Sequence, residues 1–241
     1  MKSTLTFPVI VPAAGVGKRM LADCPKQYLL INKQTVLSHT VMTLLSHPRI
    51  NQVILVLSEH DQYFSQLALA KHKKLVRVNG GKERVDSVLN GLKKIDQSKY
   101  PWVLVHDAAR PCVSHADIDN LISRCLTHNY GGVLATPVRD TMKRGKLQQS
   151  TFSLIKNTVE REDLWHALTP QLYKTKELTD AIEQGIAQGL HITDESSAIE
   201  FANLPSLLVL GSSENIKITH PNDLALATFY INNQINHKIK G

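Results

Sequence analysis

The chain has 241 residues, 42% hydrophobic and 20% charged, and 28 Lys and Arg against 21 Asp and Glu give a formal net charge of +7. That length and composition suit one soluble globular domain; no apolar run nears the ~18 residues of a membrane span, and residues 1–7 are too short and polar for a secretory signal. The basic balance would suit nucleic acid, yet the cations are scattered, aromatics reach only 5% and no helix-turn-helix or RNP-type motif occurs, so an anionic small-molecule substrate accounts for it better. Cys24, Cys112 and Cys125 show no CxxC spacing and read as reduced thiols of a cytoplasmic protein. The 11 histidines, His106 and His166 among them, show no ligand spacing and read as structural or surface residues.

Residues 9–26, VIVPAAGVGKRMLADCPK, read as a buried strand opening into a phosphate loop. The apolar run stops at Pro12, Ala13 and Ala14 keep the approach uncluttered, and Gly15 and Gly17 let amides come close to an anion. Lys18, Arg19 and Lys26 can offset the roughly four negative charges of a triphosphate. Two common fingerprints fail. The P-loop pattern needs a glycine where Pro12 stands and a hydroxyl where Arg19 stands. The dinucleotide pattern needs a glycine at Met20 and a strand-end acid ~20 positions on, and Glu59 lies too far away. What survives, P-A-A-G-x-G-x-R-M followed by P-K-Q at 25–27, resembles the signature loop of sugar-nucleotide and polyol-phosphate nucleotidyltransferases.

Further along, residues 35–46 carry Val36, Leu37, Thr40, Val41, Leu44 and Leu45 at helical spacing ahead of Pro48. The apolar run QVILVL at 52–57 predicts a strand buried on both faces. A helix over 61–71, a strand over 75–78 running into Asn79-Gly80-Gly81, and a helix over 84–95 follow. The strand 102–105 delivers His106 to Pro111 at its carboxyl end, before a helix over 114–128 and a strand over 132–138. This alternation predicts an α/β fold with a doubly wound, mostly parallel sheet, whose ligands bind beyond the carboxyl ends of the strands. The loops 13–26, 80–87 and 106–111 all leave that edge.

The pattern changes over 139–161, where polar residues interleave with apolar ones around an expected turn near Gly145. This reads as a β-hairpin arm, and because a lone hairpin is marginal in water, a second copy of the chain is its simplest dock. A strand over 168–173, a helix over 175–188, a Thr193-Asp194 cap for a helix over 195–202, edge strands over 206–210 and 215–218, and a helix from Pro221 to about 234 complete a single domain spanning 1–241.

The blocks PAAGVGKRM, CPKQYL, GGKERVDSV, HDAARP, ATPVRDTMKR, TVERE, WHALTPQ, ITDESSA and ENIKIT, in that order, resemble the 2-C-methyl-D-erythritol 4-phosphate cytidylyltransferase family along nearly the whole chain. The resemblance implies a Rossmann-like nucleotidyltransferase fold and transfer of CMP from CTP to 2-C-methyl-D-erythritol 4-phosphate, releasing pyrophosphate, within non-mevalonate isoprenoid synthesis. The chemistry agrees. A phosphate monoester with a second pKa of about 6 is already largely ionised at neutral pH and needs no general base. In-line attack on the α-phosphorus then asks the protein for positioning and charge neutralisation.

By the same resemblance Arg19, Lys26, Arg161 and Lys217 are catalytic. Pro12, Ala13, Ala14, Gly15 and Gly17 hold the nucleotide with Gly81, Ser87 and Ala108, and cytosine is read by backbone groups and the Ser87 hydroxyl. Methylerythritol phosphate falls to Asp107, Arg110, Thr169, Thr193 and Lys217 on the body. Thr141 and Arg161, on the arm, would serve the partner's site in a homodimer. Asp107, at a strand end among otherwise uncharged neighbours, is the expected ligand for Mg²⁺ or another hard divalent ion, since magnesium takes one or two carboxylates plus substrate phosphates. Its alternatives are a helix cap or a pair with Arg110. A cytidylyltransferase for another polyol phosphate, such as ribitol 5-phosphate, would share the loop and Asp107 and differ on the acceptor side; a non-catalytic nucleotide sensor would bind CTP without turnover.

Overall fold

The computed structural model describes residues 5–15, 24–147 and 153–240, so Gly17, Lys18 and Arg19 of the nucleotide loop lie outside the described residues. Strand β1 (Phe7–Pro12) is followed by a small ribbon, β2 (Leu30–Ile31) and β3 (Gln34–Thr35), whose turn at Asn32 and Lys33 has positive φ of 49° and 67°. Positive φ at both central residues matches the twist of a two-residue hairpin loop. Helix α1 (Val36–Leu45) starts where the Thr35 hydroxyl accepts the Ser38 amide at 3.1 Å. Then come β4 (Ile50–Leu57), β5 (Leu75–Asn79), α2 (Arg84–Leu92) and β6 (Trp102–Val105). Helix α3 (His115–His128), capped by Ser114 and closed by left-handed Asn129, leads to β7 (Gly131–Pro137). The arm strands β8 (Met142–Leu147) and β9 (Ser153–Val159) precede β10 (Trp165–Lys174), α4 (Thr175–Ala187), α5 (Glu195–Phe201), β11 (Ser206–Leu210) and α6 (Pro221–Lys240).

The described residues form a seven-stranded sheet in the order β11-β7-β10-β6-β1-β4-β5. It is parallel except for β10, which lies antiparallel to both β6 and β7. The chain reaches β10 from the arm, and a hairpin returns a strand in the opposite sense without a crossover helix. Period-two alternation decides the two faces: Val9 and Val11 of β1 join Leu37, Val41, Leu44 and Ile118 on one side, while Ile10 joins Val88, Leu92, Leu178 and Ile182 on the other. Helix α6 closes a third cluster through Ala227 and Ile231, packed with Val36, Ala109 and Ile218.

Three expectations are corrected. The segment 61–71 is two short 3₁₀ turns, Phe64–Gln66 and Ala68–Lys71, separated by Leu67 in an extended conformation. Phe64 and Leu69 are both buried, and five residues on a regular helix would place them ~140° apart, so the break lets both reach the core. Gly145 is not a turn: it pairs with Ile155 inside the arm, at a register shift after Arg144, where a glycine accommodates a bulge. Residues 215–218 form no strand. Their polar groups are used one by one, with the Asn215 carbonyl accepting from Arg110 and the Ile218 amide donating to Ala109, so this strap closes over the sheet edge instead of extending it.

Candidate active site

The loops at the carboxyl ends of β1, β5 and β6 do converge, enclosing a cavity of about 220 Å³ lined by Pro12 to Gly15, Gly81 to Arg84, Ser87 and Asp107 to Ala109, with Lys26, Gln27 and Lys217. Sheet hydrogen bonding carries the loops into place, from the Ala13 amide to the Val56 carbonyl (2.7 Å), Gly80 to Leu57 (2.7 Å) and His106 to Ile10 (2.9 Å). Close approach needs the glycines. A Cβ on Gly80 would sit 2.6 Å from the Ala14 methyl, and one on Gly81 would sit 2.2 Å from the Asp86 Cβ.

Gln27, not singled out from the sequence, is buried and donates from Nε2 to the carbonyls of Ala13 (2.9 Å) and Gly15 (3.2 Å). It thereby pins the near end of the nucleotide loop, and only its place in the P-K-Q triplet hinted at this. Lys26 donates to the Ile218 carbonyl at 2.9 Å, joining the loop to the strap. The Ser87 hydroxyl accepts from the Gly81 amide and donates to the Glu83 carbonyl, both at 3.1 Å.

Asp107 does not stand among uncharged neighbours, as its sequence context suggested. Its Oδ1 lies 3.3 Å from Arg84 Nη2, and its Oδ2 lies 2.9 Å from Lys217 Nζ and 3.3 Å from Arg110 Nε. Burial alone would raise its carboxyl, but Arg84, Lys217 and Arg110 together hold it well below the usual carboxylate range. Arg84 in turn forms a bidentate pair with Glu195, Nη1 to Oε1 at 2.6 Å and Nη2 to Oε2 at 3.1 Å. The sequence reading missed both residues. Arg84 lay in GGKERVDSV and Glu195 in ITDESSA, and nothing in linear spacing joins positions so far apart.

A layer of buried polar groups supports Asp107. Its amide donates to the Thr169 hydroxyl at 3.0 Å, and that hydroxyl also meets His106 Nδ1 at 3.0 Å. His106 Nε2 faces the Arg110 carbonyl at 3.1 Å, and burial pulls its ring down to about 4. Arg110 donates to the Asn215 carbonyl (2.7 Å), and Asn215 donates to the Thr169 carbonyl (2.7 Å).

The expected residues thus separate by position. Pro12, Ala13, Ala14, Gly15 and Lys26 line the cavity, as do Gly81, Ser87, Asp107, Ala108 and Lys217. Arg110 and Thr169 are buried behind it, holding Asp107. Thr193 is exposed beside Asp194, the cap of α5, and Thr141 and Arg161 are exposed at the base of the arm and are not among the residues lining the cavity. Arg161 donates there to the Arg139 carbonyl. Gly17 and Arg19 lie outside the described residues.

Among the described residues no group of three or more His, Cys, Asp and Glu is arranged to hold a metal ion. A single carboxylate on the cavity wall, Asp107, nevertheless fits a magnesium ion that draws its other ligands from phosphates and water. Backbone amides and the ammonium groups of Lys26, Lys82 and Lys217 form a wall suited to a polyphosphate and to charge developing during phosphoryl transfer, while the Arg84 guanidinium at its edge is engaged by Glu195 and Asp107. No helix among the described residues is long and apolar enough to cross a membrane.

A model of the 2-C-methyl-D-erythritol 4-phosphate cytidylyltransferase family, IspD, matches residues 7–233. The chain is 70% identical over 241 residues to the protein of that name from Colwellia psychrerythraea, covering 98% of this chain and 99% of the relative. It is 56% identical over 239 residues to the Vibrio vulnificus protein of the same name, covering 98% and 99%. Among solved structures, the Francisella tularensis 2-C-methyl-D-erythritol 4-phosphate cytidylyltransferase superposes with a TM-score of 0.78 at 35% identity, over 93% of this chain and 99% of that one. The enzyme of the same name from Thermus thermophilus superposes with a TM-score of 0.76 at 28% identity, over 93% and 98%.

Proposed function

The chain belongs to the 2-C-methyl-D-erythritol 4-phosphate cytidylyltransferase family, a transferase of isoprenoid biosynthesis, and we propose that its cavity carries out the CMP transfer by in-line displacement. An oxygen of the substrate phosphate attacks the α-phosphorus of CTP, forming the diphosphate linkage of 4-CDP-2-C-methyl-D-erythritol while the bond to pyrophosphate breaks. No proton has to be removed from the nucleophile, because a phosphate monoester is already ionised at neutral pH. Lys26, Arg19 and Lys217 stabilise the charge that grows on the transferred and departing phosphates. Ala13, Ala14, Gly81 and Ser87 face the cytosine, whose amine and two acceptors suit fixed carbonyls, amides and a hydroxyl. Asp107 would hold Mg²⁺, which when bound offsets triphosphate charge.

The acceptor phosphate and polyol fall to Lys217 and Thr193 on the body, with Arg110 and Thr169 supporting Asp107 from behind the cavity and Thr141 and Arg161 reaching from the arm of a second copy in a cytoplasmic homodimer. In support, the arm projects Leu154 and Ile155 at 49% and 68% exposure, apolar surface that a hairpin alone leaves uncovered. One observation carries the reading: the convergence of the Ala13, Gly81 and Asp107 loops with Lys26 and Lys217 on one cavity. The test is pyrophosphate release from CTP, methylerythritol phosphate and Mg²⁺. Turnover is expected with this acceptor and not with ribitol 5-phosphate or with UTP; purified, folded protein that released no pyrophosphate would overturn it.

A further inference from the structure

We propose that Glu195 and Arg84 are positioning residues that, acting through Asp107, aim the Lys217 ammonium into the cavity. The inference rests on the reading above that Lys217 stabilises phosphate charge. Four groups of alternating sign stand in line: the Glu195 carboxylate, the Arg84 guanidinium, the Asp107 carboxylate and the Lys217 ammonium, joined at 2.6, 3.3 and 2.9 Å. The line starts at a Glu195 side chain that is 2% exposed and ends at Lys217, 39% exposed on the cavity wall.

Geometry explains why the far end matters. A lysine is a point charge on a flexible stem and does not orient itself. A planar guanidinium held bidentately cannot rotate, and Arg84 is held so by Glu195, which leaves Nη2 directed at Asp107 Oδ1. Arg110 holds the other oxygen, Oδ2, through Nε and is itself steadied by Nη1 and Nη2 donating to the Asn215 and Ala167 carbonyls. Two anchors on two oxygens set the carboxylate plane, and Lys217 shares Oδ2 with Arg110. Without the Glu195 grip Oδ1 loses its fixed partner, the carboxylate can turn about its Cβ–Cγ bond, and Lys217 loses its bearing. Stability by itself does not call for such a pair, since buried ion pairs are commonly replaced by apolar residues at little or no cost.

The experiment is a double-mutant cycle on the full chain, with kcat, KM for both substrates and melting temperature measured for Glu195→Gln, Lys217→Ala and the double variant. Because Glu195 acts through Lys217, Glu195→Gln should lower kcat ~10-fold with KM for CTP moved less than about threefold, and should cost nothing further in the Lys217→Ala background. Arg84→Lys, which keeps the charge and loses the fork, should reproduce Glu195→Gln. Additive losses, an unchanged kcat, or a failure of both Glu195→Gln and Arg84→Lys to fold would overturn the inference, leaving the pair a structural tie. Normal turnover in Lys217→Ala would instead overturn the underlying reading of Lys217.

Discussion

Arg84 meets both carboxylate oxygens of Glu195, at 2.6 and 3.1 Å, although the two residues are 111 positions apart in the chain. This contact ties the first turn of α2 to the first turn of α5 at the cavity wall. Arg84→Ala would strand a carboxylate that is 2% exposed, and removing one partner of a buried pair costs about 3–5 kcal/mol. Replacing both residues with methionine should return much of that stability while leaving turnover low. Urea unfolding and steady-state kinetics on the same three proteins check this, and a double-methionine variant with normal kcat would sink it.

Gln27 holds the Ala13 and Gly15 carbonyls from a buried position, so its loss acts on the nucleotide loop before anything else. Gln27→Ala is expected to raise KM for CTP ~10-fold, the equivalent of about 1.4 kcal/mol, with a smaller effect on KM for the acceptor. Initial-rate measurements varying each substrate separate the two effects.

Gly80 sits against Ala14 with no space for a side chain, a Cβ there coming within 2.6 Å of the Ala14 methyl. Gly80→Ala should therefore press Ala14 into the cavity and weaken CTP binding. Calorimetric titration with CTP reads the loss, and unchanged affinity would mean that the loop relaxes freely.

His106 makes stability depend on pH. The unfolded chain takes up a proton on this ring near 6.5, whereas the buried ring takes it only near 4, so the unfolded state binds more protons in between. Stability is thus fully present above pH 6.5 and falls as pH drops toward 4, by about 3 kcal/mol from this group. His106→Asn should remove that part of the slope. Urea midpoints from pH 4 to 8 for both proteins test the sign as well as the size.

Shared active sites make a prediction about mixtures. Lys26 lines the cavity, whereas Arg161, at the base of the arm, does not. Lys26→Ala should lower kcat ~100-fold with the fold intact, the scale of losing one charge-stabilising donor. Mixed with an equally impaired Arg161→Ala protein, it should regain activity through hybrid dimers that hold one intact site. No recovery after proven subunit exchange would refute the shared site.

Much of the molecule could be read from the chain alone because the information is local. Buried strands such as β4 and β6 hold apolar runs, over residues 53–57 and 102–105, and α1 and α3 carry both their apolar stripe and their capping hydroxyl. The segment 61–71 looked equally local and was not, since its helical pattern gave way to the separate burial of Phe64 and Leu69. Residues 215–218 had strand composition and became a strap because the Asn215 carbonyl and side-chain amide and the Ile218 amide found partners at Arg110, Thr169 and Ala109 instead of on a neighbouring strand. The surroundings of Asp107 were legible only in part: its pair with Arg110, three residues on, was open to a sequence reading, whereas Arg84 and Lys217 reach it from α2 and the strap. Sequence alone determined which residues could bear the chemistry, because residue type and near-neighbour spacing suffice for that. Only the tertiary structure decided which charges neutralise one another, because Coulomb interactions depend on distance in space, and the sheet brings together residues that the chain keeps far apart.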